Sequence, residues 1–211
     1  MLALMVALVS RMVAVFAICS YTCYTSYSFK RSTMLDSIFS QFPCFGFSGS
    51  RRWVGSLAPL RAATGFVPTG CSVVVGCAAG VDAFFRAAFP CAQVFAVSSG
   101  AWGAGRGAFA GRSIACVSAV ASCGGLWVSF PTSACPAGLV PSASGSRCFS
   151  GSGSGSWASL AFALGSGVPC LVFLGSLPCP PGWGLSPVPG SPGWFGCSFV
   201  LGHAPVQLSL F

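Results

Sequence analysis

A single α/β domain built on a doubly wound, mostly parallel sheet is the fold this sequence predicts. Three observations predict it. Apolar runs of strand length recur between Gly/Pro-rich turns and alternate with segments of helical length. Ser150–Leu174 reads as a glycine-serine loop, a short helix and a buried strand in succession. Residues 148–202 carry no charged side chain, yet hold no clean run of about 20 apolar residues. Such a region fits a fully buried parallel sheet better than a bilayer span.

Residues 1–40 form an apolar N-terminal extension. The uncharged run Met12–Phe29 has the look of a signal or membrane anchor. It lacks a basic flank before the first apolar run and a small-x-small cleavage site. Every recognisable segment lies downstream, so the expectation is an over-long start, with the working protein beginning at Met34.

The domain proper spans 41–202. Gln41–Phe47 is the first strand and runs into Ser48-Gly49-Ser50-Arg51-Arg52. Open α/β sheets bind ligands at the carboxyl ends of their strands, which makes Gly49, Ser50 and Arg51 candidate contacts. Trp53–Ala63 is a helix candidate interrupted by Gly55 and Pro59. Cys71–Val75 is the second strand, followed by the small residues Gly76 to Gly80 and then Asp82. Gly76 and Gly80 allow close approach of backbone to a ligand or a neighbouring helix. Asp82 lies at the start of the helix Ala83–Ala88, either as its cap or as a contact to a ligand hydroxyl or base. The cap is the simpler reading.

Gln93–Val97 is the third strand, and Ser98–Gly107 a glycine-rich connection holding Trp102 and Arg106. Ala108–Ser122 is the best helix, with Ile114, Val117, Val120 and Ala121 on its apolar face. Arg112 sits near its start, where the helix dipole disfavours a cation. That placement points to an anion between Arg106 and Arg112, with a pair of solvated surface arginines as the alternative. Leu126–Phe130 is the fourth strand. Pro131–Arg147 is a long loop expected to fold over the site and bring Arg147 beside the glycine-serine segment.

That segment supplies Gly151, Gly153, Ser154, Gly155 and Ser156 ahead of the helix Trp157–Leu164. Orphan N–H groups and the positive end of the dipole favour phosphate there. A flexible linker before a core helix is the alternative. Cys170–Leu174 is a buried strand, Pro178–Pro192 a crossing, Trp194–Leu201 a last strand, and 203–211 a tail.

Composition narrows the function. Ten basic residues against two acids give a net charge of +8, which favours anionic partners. The acids are Asp36 and Asp82, and there is no Glu. Paired-carboxylate catalysis and carboxylate metal sites are thereby almost excluded. The thirteen cysteines include no C-x-x-C and no pair beside a histidine, so no metal site is expected. They read as reduced thiols of a cytoplasmic protein, several acting as small hydrophobes inside strands and helices.

The order of these segments resembles the SLOG superfamily, the Rossmann-like group of DNA-processing (DprA-like) and LOG-type proteins. The resemblance covers roughly residues 43–175 and rests on Gly49–Arg51, Gly76–Asp82, Arg112-Ser113 and Gly151–Trp157. It implies that Gly151–Ser156 binds phosphate and that Gly49–Arg51 and Gly76–Asp82 line the same pocket. LOG-type phosphoribohydrolases carry an acid shortly after the glycine motif, and this chain has none. The expectation is therefore a nucleotide- or single-stranded-DNA-binding protein that needs no cofactor and performs no bond chemistry. Trp102 or Trp157 offers stacking, although core packing is the better reading of Trp157. A nucleotide-cleaving enzyme of the same fold would have to rely on Asp82 and Arg112.

The last five residues are similar to the bacterial sliding-clamp-binding pentapeptide. Gln207 offers an amide at a pocket rim, and Leu208, Leu210 and Phe211 offer apolar anchors in an extended peptide. The resemblance implies a bacterial or phage protein recruited to the replication clamp, with homo-oligomers open. A third reading, a structural protein anchored in the membrane by residues 1–29, completes the set.

Overall fold

Along the fourth strand, β4 (Leu126–Phe130), alternate residues separate the molecule into two layers. Leu126, Val128 and Phe130 enter one apolar cluster, and Trp127 enters the other. The computed structural model describes residues 33–151, 154–197 and 200, with only the backbone of Arg106 among them.

The other strands are β1 (Cys44–Gly49), β2 (Ser72–Gly76), β3 (Gln93–Phe95), β5 (Cys170–Phe173), β6 (Leu185–Pro187) and β7 (Trp194–Cys197). They form one seven-stranded sheet in the order β3-β2-β1-β4-β5-β7-β6. The five strands from β3 to β5 are parallel, and β7 joins β5 antiparallel, as β6 joins β7. The predicted doubly wound, mostly parallel α/β sheet is the observed architecture.

One face is covered by α1 (Met34–Phe39), α2 (Ala58–Phe66) and α3 (Val81–Ala88). Phe39 stacks on Phe45 with ring centroids 5.2 Å apart, and Phe47 on Phe85 at 3.9 Å. The other face is covered by α4 (Gly105–Ser122) and α6 (Gly155–Gly165), with the one-turn α5 (Gly145–Cys148) between them. Val117, Val120, Trp157 and Leu160 meet Val74, Trp127 and Val172 there. Each buried strand thus needs apolar residues on both faces, which is why the strands read as continuous apolar runs.

Several boundaries move. The sequence analysis opens the domain at residue 41, yet Leu35, Ile38 and Phe39 of α1 are buried against the sheet. A capping box holds that helix: the Thr33 N–H donates to Asp36 (2.8 Å), and the Asp36 N–H donates to Thr33 Oγ1 (3.2 Å). β1 starts at Cys44 and runs on to Gly49, because Ser48 and Gly49 still pair with Ser129 and Phe130. Pro59 begins α2 rather than interrupting it, since a proline in the first turn sacrifices only an orphan N–H. β3 stops at Phe95, and Val97–Ser99 is a 3₁₀ turn. Ala121 is exposed, although the expected apolar face of α4 included it. The last strand is described over Trp194–Cys197, and the Pro/Gly crossing contains β6. Among the described residues no helix is long and apolar enough to cross a membrane.

The described cysteines carry free thiols. Burial pushes Cys44 from the ordinary 9.0 up to about 11 and Cys116 up to about 12. In the unfolded chain these thiols ionise near 9.0, whereas the folded chain keeps them protonated. The folded state therefore binds more protons above that pH. Stability is expected to be full below pH 9 and to fall from there up to about 11–12. Urea midpoints at pH 8, 9.5 and 10.5 check this, and Cys44→Ala should flatten the decline.

Candidate functional site

The strand order reverses at β1. From β1 the chain moves outward through β2 to β3, then returns to lay β4 on the other side of β1. Loops leaving the carboxyl ends of β1 and β4 must diverge, and the crevice between them is where open α/β sheets bind ligands. A cavity of about 410 Å³ lies there.

Its first wall is the turn after β1. The Ser50 N–H donates to the Phe130 carbonyl (3.1 Å), and the Val81 N–H donates to the Ser50 carbonyl (3.1 Å). Ser50 is thereby tied both to β4 and to the start of α3. Gly80 caps α3 at φ +69°, and a Cβ there would run into the backbone of Ser50 and Arg51. Glycine is required on both counts. Arg51 projects from this fixed turn, with its guanidinium carbon 4.8 Å from the centre of the Phe109 ring.

The second wall is the start of α6. Ser154 caps the helix without a side-chain hydrogen bond to it, and no acid lies in the first turn. Ser154 Oγ and Ser156 Oγ are 2.7 Å apart. Ser129 Oγ donates to the Ser156 carbonyl (3.3 Å) and is 3.1 Å from Ser48 Oγ. This buried serine ladder ties β1, β4 and α6 together at the crevice. The first-turn N–H groups of an eleven-residue helix consequently face the cavity without a carboxylate to cap them.

The floor is an ion pair. Arg112 Nη1 lies 3.0 Å from Asp82 Oδ2, with both side chains more than nine-tenths buried. The same carboxylate oxygen accepts the Ala78 N–H at 3.2 Å. A Cβ on Gly76 would overlap the Arg112 guanidinium, so the last residue of β2 must be glycine for the arginine to reach across. Arg112 Nε is buried without a hydrogen-bond partner. The anion that the sequence analysis sought beside Arg112 is thus Asp82, brought from 30 residues away in the chain. Asp82 does not cap α3; Gly80 holds that position.

The structure brings nine sequence-predicted residues to the cavity: Gly49, Ser50, Arg51, Asp82, Arg112, Gly151, Ser154, Gly155 and Ser156. Gly76 and Gly80 shape it from behind. Gly153, the Arg106 side chain and the tail residues Gln207, Leu208, Leu210 and Phe211 lie outside what is described. Arg147 is exposed and does not line the cavity; Cys148 and Phe149, the next two residues, do. Trp157 is fully buried, its Nε1–H donating to the Ser133 carbonyl (2.8 Å). Trp102 leans on Phe95 at 5.9 Å. Sequence reasoning missed Phe109 and Ser159, because helical periodicity marks which residues face the core and says nothing of a cavity beside it.

Both acids of the chain are now accounted for, Asp36 in the capping box of α1 and Asp82 in the ion pair. No family model, curated protein or solved structure matches this chain.

The chemistry follows from the inventory. Burial raises the Cys148 thiol and so disfavours its thiolate, and the S–H donates to the Ser142 carbonyl at 3.3 Å. No cluster of metal-ligating groups is present among the described residues. What remains is a set of donors with positive charge: backbone N–H groups, serine hydroxyls and Arg51. Such a set is chemically suited to an anion.

Proposed function

We propose that this chain binds a nucleotide, either free or as a unit of single-stranded DNA, by its phosphate at the start of α6. The observation that carries the reading is the α6 N-terminus, with no acid in its first turn and no side-chain bond from its Ser154 cap, lining the same crevice as the Arg51 turn. Arg112 also lines the crevice, its Nη1 held by Asp82 at 3.0 Å. The function is positioning. A nucleotide-cleaving enzyme would need Asp82 with Arg51 or Arg112 for its chemistry, and Asp82 is held in an ion pair by Arg112. A DNA-processing role is supported by the excess of basic residues over acids, and clamp recruitment by the terminal Gln207–Phe211 alone.

The test is binding of the full chain to fluorescent single-stranded DNA over a salt series, with mononucleotides as competitors. Affinity is expected to fall with salt if DNA is the ligand. Arg51→Ala is expected to weaken phosphate binding by roughly tenfold or more, the loss of one charge-assisted hydrogen-bond donor. Tight mononucleotide binding without DNA binding assigns the site to a free nucleotide. Failure of every phosphate-bearing probe to bind sinks the proposal.

A further inference from the structure

Phe109 is out of place for a phenylalanine. It is 39% exposed, whereas Phe39, Phe45, Phe47, Phe85 and Phe130 are essentially fully buried. It stands in the second turn of α4 and lines the cavity that the α6 N-terminus enters. Most of the cavity wall is serine, glycine and alanine. The other aromatic residue there, Phe149, is half-buried and leans on Phe162 with centroids 6.4 Å apart. Among the described residues, Phe109 is therefore the ring that offers a face to whatever fills the cavity.

That face is covered by the Arg51 guanidinium, within the range of a cation–π contact. Arg51 also lines the cavity, and its backbone is held by the two hydrogen bonds of Ser50. Its side chain can swing while its Cα stays. A cation–π contact at an exposed site is weak, and a guanidinium–phosphate hydrogen bond is stronger.

We propose that Phe109 is the stacking platform for a planar aromatic heterocycle carried by the ligand, and that Arg51 covers it until a phosphate draws the guanidinium away. One residue then serves two states: Arg51 shields an apolar ring in the empty site and holds the phosphate in the filled one. The ring is released at the moment it is needed. Stacking on one phenylalanine accepts any base, because every base has a π face, so the platform selects the class of ligand and not one member. This rests on the phosphate reading of the site given above.

The experiment is calorimetric titration of the full chain with two probes, ribose 5-phosphate and adenosine 5′-monophosphate. Wild type is expected to bind the adenosine compound about tenfold more tightly, the contribution of one stacked base. Phe109→Ala should lower that affinity by about tenfold. The same variant should leave ribose 5-phosphate binding unchanged or stronger, because Arg51 no longer has a ring to leave. Phe109→Tyr should restore the adenosine preference. Opposite responses of the two probes are the signature, since a merely structural role of Phe109 would weaken both. Equal binding of the two probes by wild type, or equal loss of both in Phe109→Ala, overturns the platform while leaving the phosphate site standing. Binding of neither probe by wild type overturns the phosphate reading and the platform with it. A short oligodeoxyadenylate in a third arm separates the sources. If it binds and loses the same factor in Phe109→Ala, the heterocycle belongs to single-stranded DNA; if only the mononucleotide binds, it belongs to a free nucleotide.

Discussion

Asp82→Ala is expected to cost about 3–5 kcal/mol of stability, the largest effect of any single substitution at the site. The reason is what it leaves behind. Arg112 is 6% exposed and its one carboxylate partner is Asp82. Removing that partner leaves a mostly buried guanidinium without its counter-charge, and leaves the Ala78 N–H without its acceptor. The pair itself is worth far less than this, because bringing two charges out of water offsets most of their attraction. Arg112→Met in the Asp82→Ala background should therefore recover most of the loss. Urea denaturation of the two single variants and the double variant reads this directly. Additive losses in the double variant would mean that the two side chains stabilise the fold independently.

Gly155→Asp is expected to raise stability and abolish binding together. Gly155 is the first residue of α6, is exposed, and has open space around the position of a Cβ. Replacing a helical glycine contributes about 0.5–1 kcal/mol. An aspartate in the first turn adds about 0.3–1 kcal/mol by complementing the dipole. For a chain of this size the melting temperature should rise by roughly 2–6 °C. The same carboxylate occupies the place of the ligand's phosphate and repels it, so affinity for a mononucleotide should fall by about 100-fold, comparable to losing two charge-assisted bonds. Gly155→Asn, of equal size and no charge, should bind nearly as wild type. A stabilised Gly155→Asp that still binds would place the phosphate elsewhere.

Much of this site was legible from the residues alone, and the limits have physical causes. The glycine-serine cradle was readable because small residues ahead of an apolar helix are a local signal. The turn at Gly49–Arg51 was readable because a strand that ends in glycine and serine marks the carboxyl edge of a sheet. Helix α1 carries a local signal too, Thr33 and Asp36 at capping-box spacing, at the edge of the apolar extension before it. The role of Asp82 was not legible. A local reading makes an acid at a helix start a cap, whereas its partner lies on another helix, 30 residues on. Nor was the exposure of Phe109 or of Arg147, because each is set by packing between segments that are apart in the chain.

The sequence by itself determined the doubly wound sheet, because strands buried on both faces must be apolar throughout and the helices between them must be amphipathic or apolar. It also limited the carboxylates to Asp36 and Asp82, whereas the bonds that commit each of them were decided by the fold. Only the tertiary structure decided which residues share the crevice. Strand order is set by contacts between segments far apart in the chain. That order alone brings Arg51 to Phe109, and Asp82 to Arg112, around the open end of α6.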